Sequence, residues 1–247
     1  MNLRFHEIAE QRNRVLNPLS EARLMQLAEK IELHEATRLL DLACGRGEML
    51  CQWSATYGIM GTGVDISEVF IESARARAHE LNVWSRLNWV VGDAAEYPQP
   101  FHEFNIVSCL GATWIGGGLV GTLRIMLEAL KDDSGYIIVG EPYWRKPPTQ
   151  EVYQAVGAEP ETFTTLDGLL ERFQQVDLEL VDMLISSHEE WDHYYTSRWH
   201  SVYQYLRDNP QDPDAQALYE WNAHNRRVYL QYEREYLGWG VFVLRPA

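Results

Sequence analysis

The sequence predicts an α/β protein built on a doubly wound, mostly parallel sheet of seven strands. Two observations predict it. Short apolar runs alternate with stretches whose apolar residues recur at helical spacing, the pattern of strands joined by crossover helices. The first run, in "RLLDLACGRGEML" (38–50), passes through an aspartate into Ala43, Gly45 and Gly47, small residues at every second position, before apolar residues resume. Small residues between a buried strand and a helix let backbone approach a ligand closely. In such sheets ligands bind beyond the carboxyl ends of the strands, where this stretch lies.

Each element follows in order. Ser20 is the expected cap of a helix over 20–34, with Leu24, Leu27, Ala28 and Ile31 on one face. Residues 37–43 read as the first strand, and 48–58 as a helix closed by Gly58. Residues 59–67 read as the second strand. Ser67 then caps a helix with Phe70, Ile71, Ala74 and Ala78 on one face. A third strand and its loop occupy 87–98, and a fourth strand 103–113. A helix follows Gly116–Gly118, and a fifth strand spans 135–144 before Pro147 and Pro148 break the chain. Asp167 is the expected cap of a helix over 166–176. The sixth strand is 178–188 and the last 238–246.

Between the last two strands, 190–236 reads as mostly helical, interrupted at 208–214. Trp199, Val202, Tyr203 and Leu206 share a face, followed by Leu218, Trp221 and Val228. A structureless loop of this length inside a compact domain would be unusual. The expectation is a helical cap over the carboxyl ends of the strands, helped by residues 1–20; the alternative is a dimer interface. The chain then divides as one domain over 1–247: an N-terminal helical segment (1–36), a ligand-binding core (37–189), the cap insertion (190–236) and the last strand (237–247).

Composition narrows the partners. Among 247 residues, 46% are hydrophobic and 23% charged, which fits a folded domain rather than a disordered chain. Formal net charge is −15. Binding to nucleic acid relies on cationic side chains that displace counterions, so a nucleic-acid partner is not expected. No apolar run is long enough for a membrane span, and the start lacks an apolar signal core. A soluble, cytoplasmic protein is expected, as monomer or homodimer. Cys44, Cys51 and Cys109 form no C-x-x-C pair, so neither a disulfide framework nor a metal site is expected.

The dinucleotide fingerprint G-x-G-x-x-G is not met, because its third glycine would fall on Leu50; no Gly-Lys-Ser/Thr follows for a phosphate loop either. Instead, "LLDLACGRGEML" resembles motif I of class I S-adenosylmethionine-dependent methyltransferases, with Ala43 in place of the commonest first glycine. "GTGVDIS", "VVGDAAEYP" and "FNIVSCLGATWI" resemble the next three motifs at matching intervals, and "LKDDSGYIIVGEPYW" the strand after them. The resemblance covers roughly 37–145 and is nearest the bacterial group acting on small molecules. It implies a Rossmann-like methyltransferase fold and S-adenosyl-L-methionine as cofactor. It also implies roles: backbone at Ala43, Gly45 and Gly47 lining the methionine part, and Asp41 supporting the ammonium. Asp65 would accept from both ribose hydroxyls and Asp93 from the adenine amine. Ala94 would donate its N–H to a ring nitrogen, Ile66 would pack on adenine, and Cys109 and Leu110 would border the methionine part. Each acid has a structural reading as well, since Asp at a strand end often caps a turn.

The implied reaction is in-line methyl transfer, driven mainly by alignment. No catalytic residue is assigned from the sequence. Candidates are Glu141 at the end of the fifth strand, and His188 and His193 in "SSHEEWDHYYTSRWH" (186–200). Trp191, Tyr194 and Tyr195, with Glu189, Glu190 and Asp192, could hold an amine or cationic acceptor; Trp114 and Glu141 are further acceptor-site candidates. The Asn/Asp-Pro-Pro box of amino-methylating DNA enzymes is absent after the fourth strand, as are the paired glutamates of protein arginine methyltransferases. A non-catalytic cofactor-binding module and a methyltransferase acting on a macromolecule remain as alternatives.

Overall fold

A computed structural model describes residues 2–97 and 102–247. Its strands are β1 (Arg38–Leu42), β2 (Met60–Asp65), β3 (Leu87–Val91), β4 (Ile106–Leu110), β5 (Tyr136–Trp144), β6 (Leu178–Ile185) and β7 (Leu237–Pro246). They form one sheet in the order β3-β2-β1-β4-β5-β7-β6. The first five are parallel, and β7 runs antiparallel between β5 and β6. The order reverses between β1 and β4, which opens a cleft at their carboxyl ends.

Successive strand residues feed opposite faces. Leu39, Ile138, Val241 and Val243 pack with α2 (Glu21–Ala28) and α3 (Glu48–Tyr57) through Leu24, Leu27, Leu50 and Trp53. α4 (Glu68–Glu80) adds Ala78 to that layer. Leu40, Leu42, Ile137, Val139 and Phe242 pack on the other face with α5 (Leu119–Ala129) and α7 (Leu166–Gln174). Both faces are covered, so the central strands are apolar throughout rather than alternating.

Three elements depart from their expected form. The helix after Ser20 stops at Ala28 rather than His34. There the Thr37 hydroxyl accepts from the His34 N–H and His34 Nδ1 accepts from the Ala36 N–H, a local turn that competes with helix. Thr165, not Asp167, caps α7: its hydroxyl accepts from the Gly168 N–H and Asp167 sits inside the first turn. A helix not expected from the sequence, α6 (Gln150–Val156), starts at Thr149 just past the two prolines. The third motif's final residue, Pro98, lies outside the described residues.

The insertion between β6 and β7 is helical: α8 (His188–Asp208), α9 (Ala215–Val228), a π-helical turn (Tyr229–Glu233) and α10 (Arg234–Tyr236). α8 begins two residues before the expected boundary at 190, because Ser187 and Glu190 form a reciprocal capping box. Val202 and Leu218 bury against Phe5, Ile8 and Ala9 of the N-terminal helix α1 (Leu3–Ala9). Tyr203 is exposed instead, one residue out of phase with Val202. The part of the insertion's apolar face around Val202 and Leu218 is thus covered by the chain's own N-terminal helix. Among the described residues no helix is long and apolar enough to cross a membrane.

Candidate functional site

A cavity of about 900 Å³ opens at the carboxyl ends of β1 to β4. Three groups of residues wall it. The strand ends and their loops give Asp41, Ala43, Gly45, Asp65, Ile66, Asp93, Ala94, Leu110 and Trp114. α8 gives Trp191, Tyr194, Tyr195 and Arg198, backed by Pro142 and Trp239 from β5 and β7. The N-terminal segment gives His6 and the strap 14–18.

The turn after β1 explains its small residues. Ala43, Gly45 and Gly47 all adopt left-handed backbone (φ 55°, 55° and 66°), a region that costs an L side chain roughly 1–2 kcal/mol. Gly45 donates its N–H to Asp65 Oδ2 at 2.8 Å and faces the cavity. Gly47 serves packing instead: a Cβ there would lie 2.3 Å from the Trp89 ring and 2.9 Å from Ala74. It does not border the cavity.

Asp65 is buried, and its other oxygen accepts from the Ser67 N–H at 2.9 Å. Burial raises its pKa. Asp41 accepts from the Ser108 hydroxyl at 2.7 Å, and burial pushes its carboxyl up to about 7. Asp93 is exposed and accepts from the Ala95 N–H at 2.8 Å, leaving Ala94 buried at the wall. Ile66 and Trp114 are 64% and 66% exposed, high for large apolar residues at a cavity rim. Cys109 points away into the core shared with Leu40 and Val139, whereas its neighbour Leu110 reaches the cavity.

The catalytic candidates lie elsewhere. Glu141 is buried under the β5 end, accepts from the Thr113 hydroxyl at 2.6 Å, and is raised to about 7 by burial; it does not border the cavity. His188 and His193 are exposed on α8. The acids expected to hold a cation are engaged or outside: Glu190 caps α8 and accepts from Ser20, Asp192 pairs with Arg234 and accepts from Tyr229, and Glu189 is exposed.

The sequence reading missed the polar cluster behind the aromatic wall. Glu10, wholly buried, accepts from Tyr194 and from Asn13, each at 2.8 Å. Tyr195 donates to Glu233 at 2.6 Å. Burial lowers the pKa of His6, whose ring meets Phe70 edge-on. The strap is pinned at its middle: the Leu16 carbonyl accepts from Tyr194, and Asn17 donates to the Leu110 carbonyl, each at 3.1 Å. Tyr194 meets Glu10 and Leu16, and Asn17 meets Leu110, across more than 90 residues of chain, so no local spacing marks them.

A Rossmann-like sheet with a 3-2-1-4-5-7-6 strand order, with acids at the ends of its first two strands and beyond its third, is the frame of a methyltransferase. A methyltransferase-domain family model matches residues 39–133. An S-adenosylmethionine-dependent methyltransferase from Geobacter sulfurreducens, solved with S-adenosyl-L-homocysteine, superposes with a TM-score of 0.94. It is 38% identical, over 99% of this chain and 98% of that one. The uncharacterized protein YjhP of Escherichia coli (strain K12) is 38% identical over 98% of this chain and 97% of its own length. Trans-aconitate 2-methyltransferase of Variovorax paradoxus (strain S110) is 28% identical over 79% of this chain and 70% of its own. The chain belongs to the class I S-adenosylmethionine-dependent methyltransferases.

Proposed function

We propose that the protein transfers the methyl group of S-adenosylmethionine to a small-molecule acceptor held beneath the helical cap. One observation carries this reading: a single cavity has carboxylates and close-approach backbone on one side and an aromatic wall on the other. The residues present fit the cofactor. Two buried carboxyls, Asp41 and Asp65, border the cavity, and burial raises the pKa of both. Gly45 brings bare backbone to the cavity wall, packed so closely under Leu16 that a Cβ would lie 2.7 Å from that side chain.

When bound, the cofactor supplies a methyl carbon activated by its sulfonium. Asp65 accepts hydrogen bonds from the ribose hydroxyls with the lone pairs that Gly45 and Ser67 leave free. Asp41 holds the ammonium. Asp93 and the Ala94 N–H read the adenine edge, and Ile66 covers its face. Gly47 and Cys109 support these groups from behind. Alignment of two bound reactants contributes about 7–11 kcal/mol, against roughly 10²–10⁴-fold for one general base. The aromatic wall of Trp191, Tyr194 and Tyr195 aligns the acceptor and keeps water from the sulfonium, and Glu141, His188 and His193 take no part. The named acceptor of the Variovorax relative is a small molecule, and the acidic chain disfavours nucleic acid.

The test compares S-adenosylhomocysteine affinity by calorimetry. Asp65→Ala is expected to weaken it about 10- to 100-fold, since a hydrogen bond to a charged group contributes about 1.5–3 kcal/mol. Glu141→Gln is expected to leave it within about twofold, because that side chain lies outside the cavity. Unchanged affinity in Asp65→Ala would overturn the ribose role.

A further inference from the structure

On that reading of the cavity, the acceptor half has a chemistry of its own. Arg198 borders it with a side chain only 16% exposed. Its Nε lies 3.0 Å from Glu10 Oε1 without the alignment of a hydrogen bond, and no other partner takes that N–H. Among the described residues the guanidinium makes no aligned hydrogen bond at all. It is held by ring faces: Tyr194, Tyr195 and Trp221 lie 5.3, 5.5 and 5.9 Å from its centre. Glu10 pairs its charge from behind, but a nearly buried set of N–H donors without an aligned acceptor is costly unless a ligand completes it.

The surrounding charges are arranged by depth. Glu10 and Glu233 stand behind the wall, already accepting from Tyr194, Asn13 and Tyr195. Neither borders the cavity. The members that do are Arg198, the two phenols and His6, which burial keeps neutral near pH 7. The acids of the cavity belong to its other end: Asp41, Asp65 and Asp93 at the strands, and Glu48, which is paired with Arg77 at 2.8 Å. Asp41, where the cofactor's amino-acid end would sit, feels the charge of Asp65. Arg14 lies at the half-exposed strap, 3.6 Å from Glu80. The acceptor half therefore offers aromatic faces and one planar cation, with no carboxylate.

We propose that Arg198 is the specificity anchor of the acceptor site, its fork binding the carboxylate of a small aromatic or apolar acid whose methylated atom points to the sulfonium. The guanidinium matches a carboxylate in two parallel hydrogen bonds, which an ammonium cannot do. An amine or cationic acceptor would meet like charge here.

Calorimetry on the full chain saturated with S-adenosylhomocysteine tests this, with 4-hydroxybenzoate and its uncharged amide as probes. The acid is expected to bind about tenfold or more tightly than the amide. Arg198→Lys, which keeps the charge beside Glu10 but loses the fork, is expected to cut acid affinity about fivefold or more. Arg198→Met with Glu10→Gln removes both charges, leaves no lone buried carboxylate, and is expected to abolish the preference for the acid. Both variants are expected to keep S-adenosylhomocysteine affinity within about twofold of wild type. Equal binding of acid and amide, or binding of neither, overturns the proposal. So does an S-adenosylhomocysteine loss in Arg198→Lys as large as in Asp65→Ala, which would put Arg198 on the cofactor's own carboxylate. Failure of the wild type to bind S-adenosylhomocysteine is seen before any acid is added, and strikes the underlying reading instead.

Discussion

Asp41 carries a carboxyl that burial holds at a pKa of about 7, against an ordinary value of 3.8. Its proton must leave before it can pair with an ammonium. Below about pH 7, cofactor binding therefore expels a proton, and affinity climbs with pH until the unliganded carboxyl is already ionised. Titrations of S-adenosylhomocysteine are expected to show affinity falling by up to about tenfold per pH unit below pH 7 and level above it. Asp41→Asn is expected to flatten that curve; a wild-type curve already flat down to about pH 5.5 would remove the ammonium role. At this scale the sequence was legible where type and position coincide. Asp41, Asp65, Asp93 and Leu110 are strand-end residues in a readable series, and all four border the cavity. Ala43 stands at φ 55°, the backbone reason a glycine is commonest there. Cys109 and Gly47 have the right place in the series but lie outside the cavity wall, Cys109 because its side chain feeds the core and Gly47 because it packs against Trp89 and Ala74.

Among the elements, the strands and the helices of the core follow from apolar runs, period and capping residues, and Ser20, Ser67 and Gly58 end their helices as their chemistry dictates. The departures are local competitions: the Thr37–His34 turn against helix, and Thr165 against Asp167 for one cap. The cap was legible as helical from its spacing, but its partner was not, because α1 and α8 meet across nearly two hundred residues. Phe5 is the sharpest probe of that contact, buried against the cluster of Val202 and Leu218 and tilted on Trp221 at 5.9 Å. Phe5→Ala is expected to cost about 3–5 kcal/mol of local stability if the site cannot collapse. Hydrogen exchange should speed up over α1, α8 and α9 and stay unchanged in β1 to β5. Uniform acceleration throughout the chain would mean that cap and core open as one unit.

For the molecule as a whole, the matched family segment, 39–133, supplies the strand-end side of the cavity, and most of the opposite wall comes from sequence on either side of it. The sequence could be read well inside the first region and poorly outside it: one has a repeated chemical task, the other fits a particular acceptor. The strap 14–18 joins the two. Leu16 lies against Gly45, where a Cβ would come within 2.7 Å of its side chain, and Asn17 is tied to Leu110, while the Leu16 carbonyl holds Tyr194. On the function proposed above, one short segment thus roofs the amino-acid end of the cofactor and fixes the wall that the acceptor must meet. Its consequence is kinetic. A roof that settles on the first ligand and shapes the berth of the second imposes a sequence of arrivals: cofactor first, acceptor second, and the demethylated cofactor last to depart. Initial-rate patterns are then expected in which S-adenosylhomocysteine competes with S-adenosylmethionine but not with the acceptor. Asn17→Ala, which unties the strap, should loosen that order toward random entry.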